Sequence, residues 1–226
     1  MSESYTYDRN TQRYRSANGK FLSAAKVKTI TEETIAFSTS RVQAIGDDLI
    51  SDKISLREWA YTTAKELKTL HLQQYMLGRG GAAAMTNRDN GLVGATLKDE
   101  YKFLKQFQRD IKKGDLSIEQ FKARLDLYVA SSQSSYEMGR RESHKADGFT
   151  LEKRIKTAAE SCADCIGYAA QSWQPIGTLP SIGADCQCKA NCKCYFEYSR
   201  NQPDRMLYQR FGWLPDRGLR SIDRLI

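Results

Sequence analysis

Apolar positions recur at helical spacing along most of the first 145 residues of this 226-residue chain. Between about Glu32 and Ser51, Ile35, Val42, Ile45 and Leu49 are separated by seven, three and four, which puts them on one helix face. A second helix is expected from Ser55 to about Leu77 through Trp59, Leu67, Leu70 and Leu77. Ser55 with Glu58 three residues on forms a capping-box pattern, and the run Gly78-Arg79-Gly80-Gly81 ends the helix. Asn87, Asp89, Asn90, Gly91 and Gly94 read as loop chemistry. A third helix is expected from about Leu97 to Lys113, with Tyr101, Leu104, Phe107 and Ile111 on one side and Gly114 as its stop. Ser117 with Gln120 opens a fourth, running to about Lys145 with the stripe Phe121, Leu125, Tyr128, Val129, Ser132 and Tyr136. The joins Asp52–Ile54 and Gly114–Leu116 are short, which favours antiparallel neighbours burying one face each.

The pattern changes after the turn signal Asp147-Gly148. The stretch 150–157 alternates weakly and is a strand candidate, and Tyr195–Tyr198 is a better one. Between them, 166–185 carries Trp173, Pro175, Gly177 and Pro180, spaced for a loop-rich excursion rather than a helix. The expected fold is mainly α: a four-helix body over 31–148 and a small cysteine-rich, zinc-knuckle-like, β-containing module over 149–198. Extended arms flank them at 1–30 and 199–226.

All six cysteines fall in that module: Cys162 and Cys165 as a CxxC pair, then Cys186, Cys188, Cys192 and Cys194 after a gap of twenty residues. The CxxC puts two sulfurs on one turn, and a second dense group at this distance is close to the two-knuckle zinc pattern. A short segment with a thin core gains folding energy from such a metal. The second group is CxCxxxCxC rather than CxxC, so six candidates compete for four positions. One zinc per chain with two spare thiols is the leading expectation. Two or three disulfides are the rival, suited to a particle exposed outside a cell. Redox use of the CxxC lacks the surrounding βαβ pattern. Free thiols and other metals complete the alternatives.

Charge is concentrated at the ends. Residues 1–30 hold six basic against two acidic side chains, and 199–226 hold six against three, so the body keeps only +1 of the net +8. Basic arms attract nucleic acid or an acidic protein surface. The C-terminal arm interleaves Arg205, Arg210, Arg217 and Arg220 with Phe211 and Trp213. Aromatics and arginines are interface anchors, so these six are the expected partner-binding residues. Mean hydropathy is −0.61, and no stretch approaches the roughly 18–20 apolar residues of a membrane span. The opening 1–16 lacks the apolar core of a secretory signal, so neither insertion nor secretion is expected.

The order of segments resembles the C-terminal part of tailed-bacteriophage minor head, or head-morphogenesis, proteins. It runs from Tyr136-Glu-Met-Gly-Arg140-Arg141 through a strand-like stretch to Glu160-Ser-Cys162-Ala-Asp-Cys165. Pro175-Ile-Gly-Thr-Leu-Pro180 and Cys188-Lys-Ala-Asn-Cys192-Lys-Cys194 follow. The likeness covers roughly 130–198, with a weaker one at Tyr14–Phe21. This chain departs by the extra Cys186 and by having no His beside the second cluster. By analogy Cys162, Cys165, Cys188 and either Cys192 or Cys194 carry over as ligands. The resemblance implies a structural, non-catalytic virion protein of the head and portal region, in host cytoplasm during assembly. Portal, major capsid and neck proteins are the implied partners, with packaged DNA a further one through the basic arms.

Neither a membrane nor a small-molecule substrate is expected. The two histidines, His71 and His144, sit in no metal-binding spacing and are expected to be satisfied structurally or exposed. Gly78–Gly81 lacks the Lys and Ser/Thr of a phosphate cradle. The alternative to a structural role is a nucleic-acid-binding zinc module. A metal-dependent hydrolase would need carboxylates that converge in space.

Overall fold

A computed structural model describes residues 5–8, 11, 13–157, 160–183 and 185–200. Its body is five helices: α1 (Ala24–Ile50), α2 (Leu56–Arg79), α3 (Asn87–Lys113), α4 (Ile118–Ala130) and α5 (Gln133–Ala146). Helix α2 packs against α1, α3 and α5, and α1 also packs against α4. The main core joins Val42 of α1 to Trp59, Leu67 and Leu70 of α2, Leu104 and Phe107 of α3, and Phe121, Leu125, Tyr128 and Val129 of α4. These are the stripes read from the sequence. Trp59 meets Phe107 edge-on with centroids 5.4 Å apart, and Phe107 stacks on Tyr128 at 5.9 Å.

Both expected capping boxes are present, at Ser55/Glu58 and Ser117/Gln120. Three boundaries differ from the sequence reading. Helix α1 starts a full two turns early, at the N-cap Ser23, whose hydroxyl accepts from the Lys26 amide. The threonines of this first part donate their hydroxyls back to carbonyls four residues earlier, Thr31 to Val27 and Thr34 to Ile30, so polar positions are satisfied within the helix.

The stretch read as a loop, from Asn87, is the first part of α3. Thr86 and Asp89 form a third capping box. Asp89 also accepts from the Tyr75 hydroxyl and the Arg79 guanidinium. Burial opposes the Asp89 charge, yet these donors and Thr86 hold its carboxyl below the usual range. Asp89 is thus an anchored cap rather than a turn residue.

The expected fourth helix is two. Ser131 and Ser132 turn their hydroxyls onto the carbonyls of Tyr128 and Val129, both at 2.7 Å, and the chain bends there into α5.

The N-terminal segment expected as an extended arm folds back. Strands β1 (Tyr5–Asp8) and β2 (Arg13–Ser16) form an antiparallel hairpin closed by an Arg15–Asp8 ion pair at 2.8 Å. The Tyr7 amide donates to the Gly80 carbonyl at 2.9 Å, and the Tyr14 hydroxyl donates to the Leu77 carbonyl. The hairpin is therefore pinned on the C-terminal end of α2. No helix among the described residues is long and apolar enough to cross a membrane.

His71 is fully buried, its Nδ1 2.8 Å from the Ser135 hydroxyl, and burial pulls its pKa down to about 4. Below pH 6.5 the unfolded chain takes up a proton that folded His71 refuses until about pH 4, so stability falls with pH across that window. Each pH unit costs about 1.4 kcal/mol, or about 2 kcal/mol between pH 6.5 and 5. Urea unfolding across this range should show the slope, and His71→Gln should remove its share. Equal slopes for the two proteins would refute this assignment.

Beyond α5 lies a three-stranded antiparallel sheet. Its centre is β3 (Leu151–Ile155), flanked by β4 (Gln174–Pro175) and β5 (Tyr195–Ser199). The short helix α6 (Ala163–Ala170) follows β3 and covers part of the stretch read as loop. Its core of Leu179, Ile182, Phe196 and four buried cysteines shares no residue with the helical core.

Side chains of α5 hold this module. Arg141 pairs with the fully buried Glu152 at 2.8 Å and donates to the Leu179 carbonyl at 2.9 Å. His144 stacks on Tyr198 at 4.0 Å, and its Nδ1 lies 2.7 Å from the Arg140 carbonyl oxygen.

Candidate metal centre

Three short segments carry the six cysteines to one place. Cys162 is the N-cap of α6 and Cys165 lies one turn in, so both sulfurs face the same side. Cys186 and Cys188 precede a single 3-10 turn, Lys189–Asn191, closed by Lys189 and Asn191 amides donating to the Cys186 and Cys188 carbonyls at 3.0 Å. Cys192 and Cys194 then lead straight into β5, whose Tyr195 pairs with Ile155 of β3. The Gln187 amide donates to Asp164 at 2.9 Å, which ties the second segment to the first turn of α6.

The sulfurs form two groups, and within each group all lie within 4.8 Å of one another. One is Cys162, Cys165, Cys186 and Cys188. The other is Cys165, Cys192 and Cys194. Either is close enough to hold a metal ion. Cys165 belongs to both, and its sulfur is 3.7 Å from that of Cys192. The grouping differs from the ligand set carried over by analogy: Cys186, the extra cysteine, stands with Cys162, Cys165 and Cys188, where Cys192 or Cys194 was expected. All six thiols are unpaired, and Cys165, Cys186, Cys192 and Cys194 are buried.

Ionisation is uneven across the six. The Cys165 amide, then the Cys188 side chain, bring Cys162 down to about 6. Burial alone would raise Cys192, but the Cys194 amide and neighbouring thiols hold it below its ordinary value. Burial pushes Cys165 up, and Cys194 to about 11; the Cys162 side chain raises Cys188. Each group thus contains one thiol held below its ordinary value. A bound divalent ion would deprotonate the rest.

A residue that the sequence reading passed over fixes the charge balance. Arg154 of β3 is fully buried. Its Nη1 is 3.5 Å from the Cys165 sulfur, and its Nη2 donates to the Pro180 carbonyl. The guanidinium lies 4.9 Å and 5.3 Å from the Tyr168 and Phe196 ring centroids. Among the described residues no carboxylate forms an ion pair with it. A buried guanidinium needs a nearby negative charge. Neutral thiols or disulfides leave it uncompensated, whereas metal-held thiolates supply that charge. The donor set and Arg154 therefore fit a metal–thiolate centre. The signal in the sequence was a strand, LEKRI, with Glu152 and Arg154 two apart and so on one face.

The two histidines considered from sequence, His71 and His144, are consumed in packing as described above, and Asp110 pairs with Arg124 at 2.6 Å. The expected partner-binding residues Arg205, Arg210, Phe211, Trp213, Arg217 and Arg220 lie outside the described residues. Compared with protein-family models, curated proteins and solved structures, the chain matches none of them.

Proposed function

We propose that this chain is a structural, non-catalytic component of a tailed-phage head. In this reading a zinc–thiolate centre fixes the module of residues 149–198 on the helical body, and the basic aromatic segment 199–226 binds neighbouring portal, capsid or neck subunits. The protein works in the virion, after assembly in host cytoplasm.

The observation that carries the metal part is the overlap of two thiol groups beside the buried, carboxylate-free Arg154. An all-sulfur, tetrahedral-sized donor set suits zinc among the common divalent ions. The head assignment draws on the order of helix, CxxC, Pro/Gly loop and closing cysteines, and on the arginine–aromatic composition of the last segment.

The test is incorporation. Arg210→Glu, Arg217→Glu and Arg220→Glu together should lower the copies found in purified particles at least tenfold, with the isolated protein still folded. Normal incorporation would overturn the interface role.

A second reading, nucleic-acid binding, is favoured by one feature. The guanidiniums of Arg13 and Arg15 lie 4.3 Å and 3.8 Å from the ring centroid of the exposed Phe21; Arg13 is exposed, and Arg15 is half-buried against Asp8. It requires tight DNA binding by the isolated protein, falling steeply with salt.

A further inference from the structure

We propose that the cysteine cluster is binuclear: two divalent metal ions share the sulfur of Cys165. This rests on the metal reading above and extends it from one ion to two.

A tetrahedral ion with bonds of about 2.3 Å to four thiolates requires sulfurs about 3.8 Å apart. The first group, Cys162, Cys165, Cys186 and Cys188, is a complete tetrad for one ion. Cys192 and Cys194 are not remote spares. Both fall within 4.8 Å of Cys165 and of each other, and the Cys165–Cys192 separation of 3.7 Å matches a tetrahedral edge. Cys165 therefore stands between Cys162, Cys186 and Cys188 on one side and Cys192 with Cys194 on the other. Six sulfurs arranged this way give one ion four thiolate ligands and the other three, with the Cys165 sulfur common to both.

Charge points the same way. Six thiols lose six protons to solvent as two divalent ions bind, leaving a net charge of −2 on the cluster. Arg154 sits at the shared Cys165 sulfur and also acts on Cys194. Its positive charge faces the middle of the cluster rather than one end. With a single ion in the first tetrad, Cys192 and Cys194 would remain buried thiols crowded onto a metal-bound sulfur.

Full-length protein purified under reducing conditions should contain two zinc ions per chain by elemental analysis. Reloaded with isotopically enriched cadmium, it should give two cadmium resonances coupled to each other through a shared sulfur. Cys192→Ser with Cys194→Ser should halve the metal content and abolish the coupling. The wild-type measurement stands even if the double variant misfolds. One ion per chain overturns the binuclear cluster and leaves the mononuclear reading intact. Two ions without coupling overturn the sharing. Folded protein that binds no ion overturns the metal reading itself.

Discussion

Removing metal with a strong chelator at neutral pH should unfold residues 149–200 and leave the helical body folded. The two parts stand on separate cores. The body buries a ten-residue cluster that includes Trp59, Phe107, Phe121 and Tyr128. The module buries few apolar side chains beyond its cysteines: Leu151, Leu179, Ile182 and Phe196. Its sheet includes a strand only two residues long, and isolated small sheets are marginal. Structural zinc supplies an apparent binding energy of about 10–16 kcal/mol in small zinc-dependent folds, far more than this core could.

Hydrogen exchange with and without chelator is the direct measurement. Protection should vanish from β3, α6 and β5, persist in α1–α4, and return when zinc is restored. Cys162→Ser should reproduce part of the loss. Arg154→Met should weaken zinc binding by about 10–100-fold, the usual effect of removing a group that supports the ligands. Full protection of the module in chelator would overturn the structural role of the metal.

Gly78→Ala should cost about 3 kcal/mol, the upper part of the range for overpacking. At this point α2 crosses α5 with backbone against backbone. A Cβ on Gly78 would lie 2.1 Å from the Tyr136 carbonyl oxygen and 2.8 Å from the Arg140 nitrogen. The relation is mutual: a Cβ on Gly139 would lie 2.3 Å from the Tyr75 carbonyl oxygen and 2.9 Å from the Arg79 nitrogen. Backbone atoms of two helices cannot rotate out of the way, so the helices must part. That would disturb Tyr75, fully buried against Val93 and Leu97. Alanine's better helix propensity returns at most about 1 kcal/mol.

Gly91→Ala on α3 is the matched control. Nothing lies within 4 Å of a Cβ there, so the same exchange should stabilise by about 0.5–1 kcal/mol. Urea midpoints of the three proteins decide the matter. A Gly78→Ala protein as stable as wild type would mean that the close crossing does not exist in solution.

The departures from the sequence reading have separate physical causes. Asn, Asp and Gly favour turns because their side chains, or lack of one, suit local backbone bonds. In Asn87–Gly94 that preference is overridden by a tertiary contact. Asp89 is held by Tyr75 and Arg79 of another helix, and Val93 and Leu97 bury against Tyr75. The Thr86-x-x-Asp89 spacing was the visible clue, but it looks like a turn until α2 is in place. The split at Ser131–Ser132 is local, yet periodicity does not report it, because the stripe of α4 continues into α5 with little change of phase. The hairpin of residues 5–16 was hidden for another reason. Its net positive charge suggests a solvated arm, while its tyrosines find their partners on the far end of α2.

Helical periodicity, two capping boxes and the strand patterns at 150–157 and 195–198 were enough to define a mainly helical chain with a small β-containing end. The crowding of every cysteine into one window marked the site. These properties are local: they depend on neighbours within a turn or a strand pair. Which sulfurs share a ligand point, which helix faces meet at Gly78 and Gly139, and that Arg154 has its charge turned toward Cys165 were decided only in three dimensions. Each depends on segments separated by tens of residues, and their separation in space is set by how the cores pack rather than by spacing along the chain.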